Sequence, residues 1–77
     1  MHYTYWYDII LHLADNSQIL LDSQMYPKQL SEEEITKMLN DCMHQCTTKP
    51  YLQLCHAIIF TNHIVKIDID YRVDSYY

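Results

Sequence analysis

Three cysteines, five histidines and ten carboxylates are the residues of this 77-residue sequence whose types could do chemistry. Cys42, Cys46, Cys55 and His56 suggest a zinc set at first sight, because tetrahedral zinc takes thiolate and imidazole ligands. The elements that must position them argue against it. Neighbours on a strand point to opposite faces, so Cys55 and His56 do not reach one ion, while Cys42 and Cys46 fall on a helical stripe that packs inward. No C-x-x-C pair with structural-zinc spacing is present. The three cysteines read as small apolar core residues, and neither metal nor cofactor is expected.

Histidine and carboxylate side chains could also supply a general acid and a general base. The sequence contains no glycine, however, which rules out a G-x-S-x-G nucleophile turn, and a chain with one small core rarely forms a pocket of enzyme size. No catalytic residue is assigned, and the expectation is a protein that is not an enzyme. His12, His44 and His63 are placed at the surface or in turns, and His56 in a partly buried position. The lack of glycine removes the phosphate-cradling loops as well, since these need backbone at close approach or at positive φ. The acidic stretch "DIDYRVD" lacks the Gly and the terminal Glu of a calcium loop.

Charge narrows the partners. A formal net charge of -5, with five Lys and Arg scattered along the chain, disfavours direct nucleic-acid binding, which is driven by cations releasing counterions from phosphate. Hydrophobic residues make up 49% of the chain, yet no apolar run approaches the roughly 20 residues that span a bilayer, so no membrane association is expected. The opening "HYTYWYDII" has no basic segment and no small-residue cleavage site. With an odd number of cysteines, this predicts a protein that stays in the reducing cytoplasm.

The elements follow from periodicity. Tyr3, Tyr5, Tyr7, Ile9, Leu11 and Leu13 alternate along a strand over about 2–13, and "ADNS" turns the chain into a second strand over about 17–23 with Ile19 and Leu21 inward. "LSEEEITKMLNDCMHQC" then changes period, and Ile35, Met38, Leu39, Cys42 and Cys46 form one stripe of a helix over about 31–46. Ser31 and Glu34 are spaced as a capping box, Leu30 and Ile35 as a hydrophobic staple, and Pro50 closes the helix. "YLQLCHAIIF" is apolar on both sides, with Leu52, Leu54, Ile58 and Phe60 on one, which predicts a central strand over about 51–61. "VKIDIDYRV" completes a last strand over about 63–73, with Val65, Ile67, Ile69, Tyr71 and Val73 inward. The expected fold class is α+β: one domain over 1–77, in the order ββαββ, with a four-stranded antiparallel sheet and one helix packed on one face.

That arrangement leaves the other sheet face bare. Thr4, Trp6, Asp8, Ile10 and His12 lie on it from the first strand, and Gln18, Leu20 and Asp22 from the second. Asp68 and Asp70, flanked by Lys66 and Arg72, share one face of the last strand. By default this row is solvated and balanced by its own cations. Eight Tyr, one Trp and the acidic balance shift the reading toward a protein partner, because aromatic side chains anchor interfaces and acidity steers toward basic surfaces.

An acidic ββαββ chain of this size, rich in Tyr and free of Gly and catalytic motifs, resembles the small accessory proteins of phages and mobile elements, anti-CRISPR inhibitors included. The resemblance spans the whole chain and rests on size and layout. It implies an inhibitor that docks on a basic nucleic-acid-binding surface of an RNA-guided nuclease effector and blocks DNA entry or cleavage. A net charge of -5 favours a local acidic contact over mimicry of a whole duplex. The residues assigned to that contact are Asp68, Asp70, Tyr71 and Asp74, with Glu32, Glu33 and Glu34. The alternative is a structural or self-associating protein whose homodimer forms through Trp6, Ile10 and Leu20.

Overall fold

A computed structural model describes residues 2–54 and 56–76. Its elements are β1 (His2–Leu13), β2 (Gln18–Tyr26), α1 (Glu32–Thr48), β3 (Tyr51–Gln53), β4 (Ile58–Phe60), a short 3-10 turn (Thr61–His63) and β5 (Ile64–Tyr76). The fold is α+β, as expected, but it holds a three-stranded sheet in the order β2-β1-β5 and a separate two-stranded β3-β4 ribbon. This replaces the four-stranded sheet and the ββαββ order. The central strand is β1, antiparallel to both neighbours.

The error has a local cause. Instead of running as one central strand over 51–61, the chain reverses after Gln53, where the Leu54 N–H donates to the Ala57 carbonyl at 2.8 Å. The reversal changes side-chain parity. Leu52 and Ile59 are buried as cross-strand partners, whereas Ile58 and Phe60 are exposed. A run that is apolar on both sides therefore reflects two short strands of opposite phase. Cys55 lies outside the described residues, and His56 is exposed rather than partly buried.

The first hairpin forms as its residues dictate. Asn16 takes φ 69°, a left-handed conformation that Asn tolerates far better than most residues, and its N–H donates to the Leu13 carbonyl. Beyond the turn, β2 carries a bulge. Ile9 faces Asp22 while Ile10 faces Leu20, so Leu21 is the extra residue and the inward parity switches from odd to even. Asp22, expected on the bare face, is thereby turned to the helix side. A second irregularity sets Leu13 against Ile64 and His12 against Lys66, which leaves Val65 unopposed and exposed instead of inward.

The helix begins with the expected capping box. Ser31 is the N-cap, its side chain accepts from the Glu34 N–H, and the Glu34 carboxylate accepts from the Ser31 N–H in return. At the other end Lys49 is extended, as the residue before Pro50 must be. Leu30 and Cys42 are buried, and Ile35, Met38, Leu39 and Cys46 are half-buried, so the stripe faces the sheet. The core is split. Tyr7 and Ile9 are buried under the start of the helix, while Leu11, Leu52 and Ile59 form a cluster joined by Leu13, Ile19, Leu21, Ile64 and Ile67.

Tyr7 links sheet and helix through its hydroxyl, which accepts from the buried Leu30 N–H at 2.9 Å. Changing Tyr7 to Phe keeps the ring but orphans that donor. A loss of about 1–3 kcal/mol is expected in chemical denaturation, the usual cost of an unsatisfied buried polar group. No change in midpoint would show that water reaches the Leu30 amide.

Candidate functional site

The helix and the β3-β4 ribbon pack on the odd face of β1, and the even face is left open. Residues directly opposed on antiparallel strands share a face, so the register lays out this surface in rows. Met25, Trp6 and Arg72 make one row, Ser23, Asp8 and Asp70 the next. Leu20, Ile10 and Asp68 follow, then Gln18, His12 and Lys66, with Thr4 opposite Asp74 at the far end. An apolar side on β2 and β1 thus abuts a charged side on β5. Leu20 is 56% and Met25 61% exposed, while Trp6 and Ile10 are half-buried among their neighbours.

The charges on this face are organised. Asp8, only 19% exposed, accepts a short hydrogen bond from the Ser23 hydroxyl, and Arg72 Nε donates to its other oxygen at 3.2 Å. The Arg72 guanidinium also lies 5.1 Å from the centre of the Trp6 ring, a cation–π distance. The Ser23 bond first, and Arg72 after it, hold the Asp8 carboxyl below the usual aspartate range. Further along, Lys66 Nζ and His12 Nε2 stand 3.3 and 2.8 Å from the same Asp68 oxygen. His12 Nε2 is shielded from solvent and close enough for an ion pair when protonated, yet it makes no aligned hydrogen bond. Asp70 has no ion pair among the described residues, and it sits directly opposite Asp8.

A pH dependence follows. Because its folded-state pKa is lowered, Asp8 adds stability above the unfolded aspartate value, and that contribution is lost as pH falls through the depressed folded value. Asp8→Asn is expected to be less stable than the native chain near neutrality, with the difference shrinking as pH falls below the unfolded aspartate value. Urea midpoints measured across that range check it, and a gap that stays constant would contradict the role given to Asp8.

The structure regroups the residues singled out in the sequence. Asp68, Asp70 and Asp74 share the open face with Trp6, Ile10 and Leu20, so the two surfaces predicted separately are one. Tyr71 does not belong to it. Its ring is on the helix side, 6.2 Å from Tyr5 in a stacked arrangement and 5.3 Å from Tyr7. Glu32, Glu33 and Glu34 occupy the first turn of α1, on the other side of the sheet. Glu34 serves the cap and lies 3.8 Å from Lys28. Met25 lies beyond the strand expected over about 17–23, because β2 continues to Tyr26, and the bulge at Leu21 reverses its parity; the Leu20-Leu21 doublet is the signal that could have shown the second effect. The sequence puts Asp8 on this face and Arg72 on the charged row of the last strand, and their joint hold on Trp6 depends on a strand pairing that spacing does not reveal.

A groove of about 650 Å³ runs between β2 and α1 on the opposite side, where Asp22, Lys37, Asp41 and Cys42 are among the lining residues. Burial, then Cys46, Asp41 and Asp22, push the Cys42 thiol up, and burial does the same for Cys46. Both thiols stay protonated near neutrality and are weak nucleophiles. No group of three or more His, Cys, Asp or Glu among the described residues is arranged to hold a metal ion. No helix among them is long and apolar enough to cross a membrane.

No protein-family model, no curated protein and no solved structure matches the chain.

Proposed function

We propose that this protein is a non-enzymatic binding protein whose open sheet face docks on a basic surface of a nucleic-acid-handling protein. The observation that carries the reading is the convergence of Trp6, Ile10, Leu20 and Met25 with Asp68, Asp70 and Asp74 on one uncovered face. Apolar groups at the centre of an interface supply most of its affinity, and charges at the side set orientation and association rate. Asp8, Ser23 and Arg72 fix the Trp6 ring beforehand, which lowers the entropy lost on binding. A net charge of -5 selects a basic partner, and the small size, acidity and Tyr content shared with anti-CRISPR inhibitors, now without the ββαββ layout, make an RNA-guided nuclease effector the target class. Binding there would occupy a surface meant for DNA and stop recognition or cleavage.

The test is inhibition of DNA cleavage across a panel of purified RNA-guided nucleases, at low and at physiological salt. Inhibition of at least one member is expected, weakening as salt rises because charge steers the encounter. A panel that cleaves unimpeded at saturating protein would overturn the target class.

A further inference from the structure

The three-stranded sheet has two edges, and they differ. β2 spans nine residues with its bulge inside, at Leu21, whereas β5 runs over 13 residues, has its own bulge at Val65 beside its first residue, and pairs through one side only, with β1. No strand among the described residues pairs with its other side. Such an edge presents a row of unpaired N–H and C=O groups to a second strand. We propose that β5 pairs antiparallel with β5 of a second copy of this chain, about a twofold axis through Asp70. The two sheets would join edge to edge into one.

Charge selects both the partner and the register. Asp70 is the midpoint of Ile64–Tyr76, so an axis there overlaps the two strands from Lys66 to Asp74, clear of the Val65 bulge. The same register sets Lys66 against Asp74 of the partner subunit and Asp68 against Arg72 of the partner subunit, each pair occurring twice by symmetry. On the helix side it sets Ile67 against Val73 of the partner subunit and Ile69 against Tyr71 of the partner subunit. The one like-charge pair is Asp70 against its own copy. Sliding the strands by two residues in one direction opposes Lys66 with Arg72 and Asp68 with Asp70; sliding the other way sets Asp70 against Arg72 but opposes Asp68 with Asp74 and leaves Lys66 without a carboxylate. A slip of one residue sets outward residues against inward ones.

Edge pairing leaves the open faces of both copies bare and side by side, but it shares Asp68, Asp70 and Asp74 with the basic-partner reading; sedimentation of the chain without any nuclease reads the edge pairing alone.

Sedimentation of the full chain over a range of concentrations tests it. A reversible dimer is expected, with Lys66→Asp and Asp74→Lys each weakening it about tenfold, since each change turns two favourable cross-strand pairs into repulsive ones. The double variant is expected to return to within about threefold of the native dissociation constant, and Asp70→Asn to tighten the dimer. Lys66 and Asp74 lie about 26 Å apart along an extended strand, too far to pair within one chain, so rescue requires a second copy. Should a reversal unfold the chain, Lys66→Gln and Asp74→Asn carry the same test, each weakening the dimer about threefold. A monomer at every concentration, a dimer indifferent to the single changes, or single losses without rescue would each overturn the proposal. A dimer that responds to Trp6→Ala but not to the charge reversals would overturn it in favour of face-to-face association.

Discussion

Replacing Leu11 with Ala is expected to remove a large share of the protein's stability. Leu11 is wholly buried near the end of the central strand and packs with Leu52 and Ile59, which tie the β3-β4 ribbon to the main sheet. Truncating a buried Leu costs about 2–5 kcal/mol, from lost burial plus the cavity left behind. Stability of about 0.05–0.15 kcal/mol per residue gives about 4–12 kcal/mol for a chain of this length, so one substitution removes a large share of it. The loss is hard to recover by collapse, because the cluster draws on β1, the ribbon and β5 at once. Thermal unfolding followed by circular dichroism checks this. A shift of the midpoint by more than about 10 °C is expected, given about 4–8 °C per kcal/mol for a domain of this size. A shift of only a degree or two would mean that the ribbon is not part of the cooperative core.

Reversing two charges on the open face is expected to leave the fold intact and remove function. Asp68→Lys together with Asp70→Lys places cations opposite the basic surface proposed as the partner, converting two attractive contacts to repulsive ones. Affinity for an inhibited nuclease should fall about a hundredfold, mostly in association rate at low salt. Trp6→Ala should weaken binding at least about thirtyfold through faster dissociation, as expected of a central aromatic anchor. The two variants thus differ in which rate constant they change, and surface plasmon resonance separates them. Unchanged inhibition by the charge-reversed protein would reject Asp68 and Asp70 as contacts. The same substitution at Tyr71 serves as a contrast, because its ring packs with Tyr5 and Tyr7 on the far side of the sheet.

Much of the architecture can be read from local sequence where one signal dominates. β1 alternates without a break, the helix announces its start with Ser31 and Glu34, and Pro50 forces its end; all three stand in the structure. The failures lie where parity changes inside an element. Leu21 and Val65 each add one residue to a ladder, and alternation in sequence cannot register a bulge that depends on the strand beside it. The stretch from Tyr51 to Phe60 failed for a related reason: without Gly or Pro at its middle, the reversal at 54–57 leaves no turn signature, and two out-of-phase strands look like one buried strand. The site was half legible. Alternation placed Trp6, Ile10 and Leu20 on one face and Asp68 and Asp70 on another strand's face, but only the β2-β1-β5 order makes these one surface.

Asp70 links stability, binding and assembly. It faces Asp8 across the ladder, so Asp70→Asn should stabilise the isolated chain by a few tenths of a kcal/mol while weakening the contact with a basic partner. A residue kept charged against its own fold is better explained by what it meets outside the chain than by what it does within it.

Trp6 is the chain's single tryptophan, which makes it a reporter at the centre of the face. Protein labelled with 5-fluorotryptophan should give one fluorine resonance, read by NMR with and without an RNA-guided nuclease that the protein inhibits. The account predicts that the resonance shifts and broadens as the complex forms, and that the Asp68→Lys, Asp70→Lys protein leaves it in place. A complex that forms at full occupancy while the Trp6 signal keeps its free position would contradict the claim that this face is the working surface.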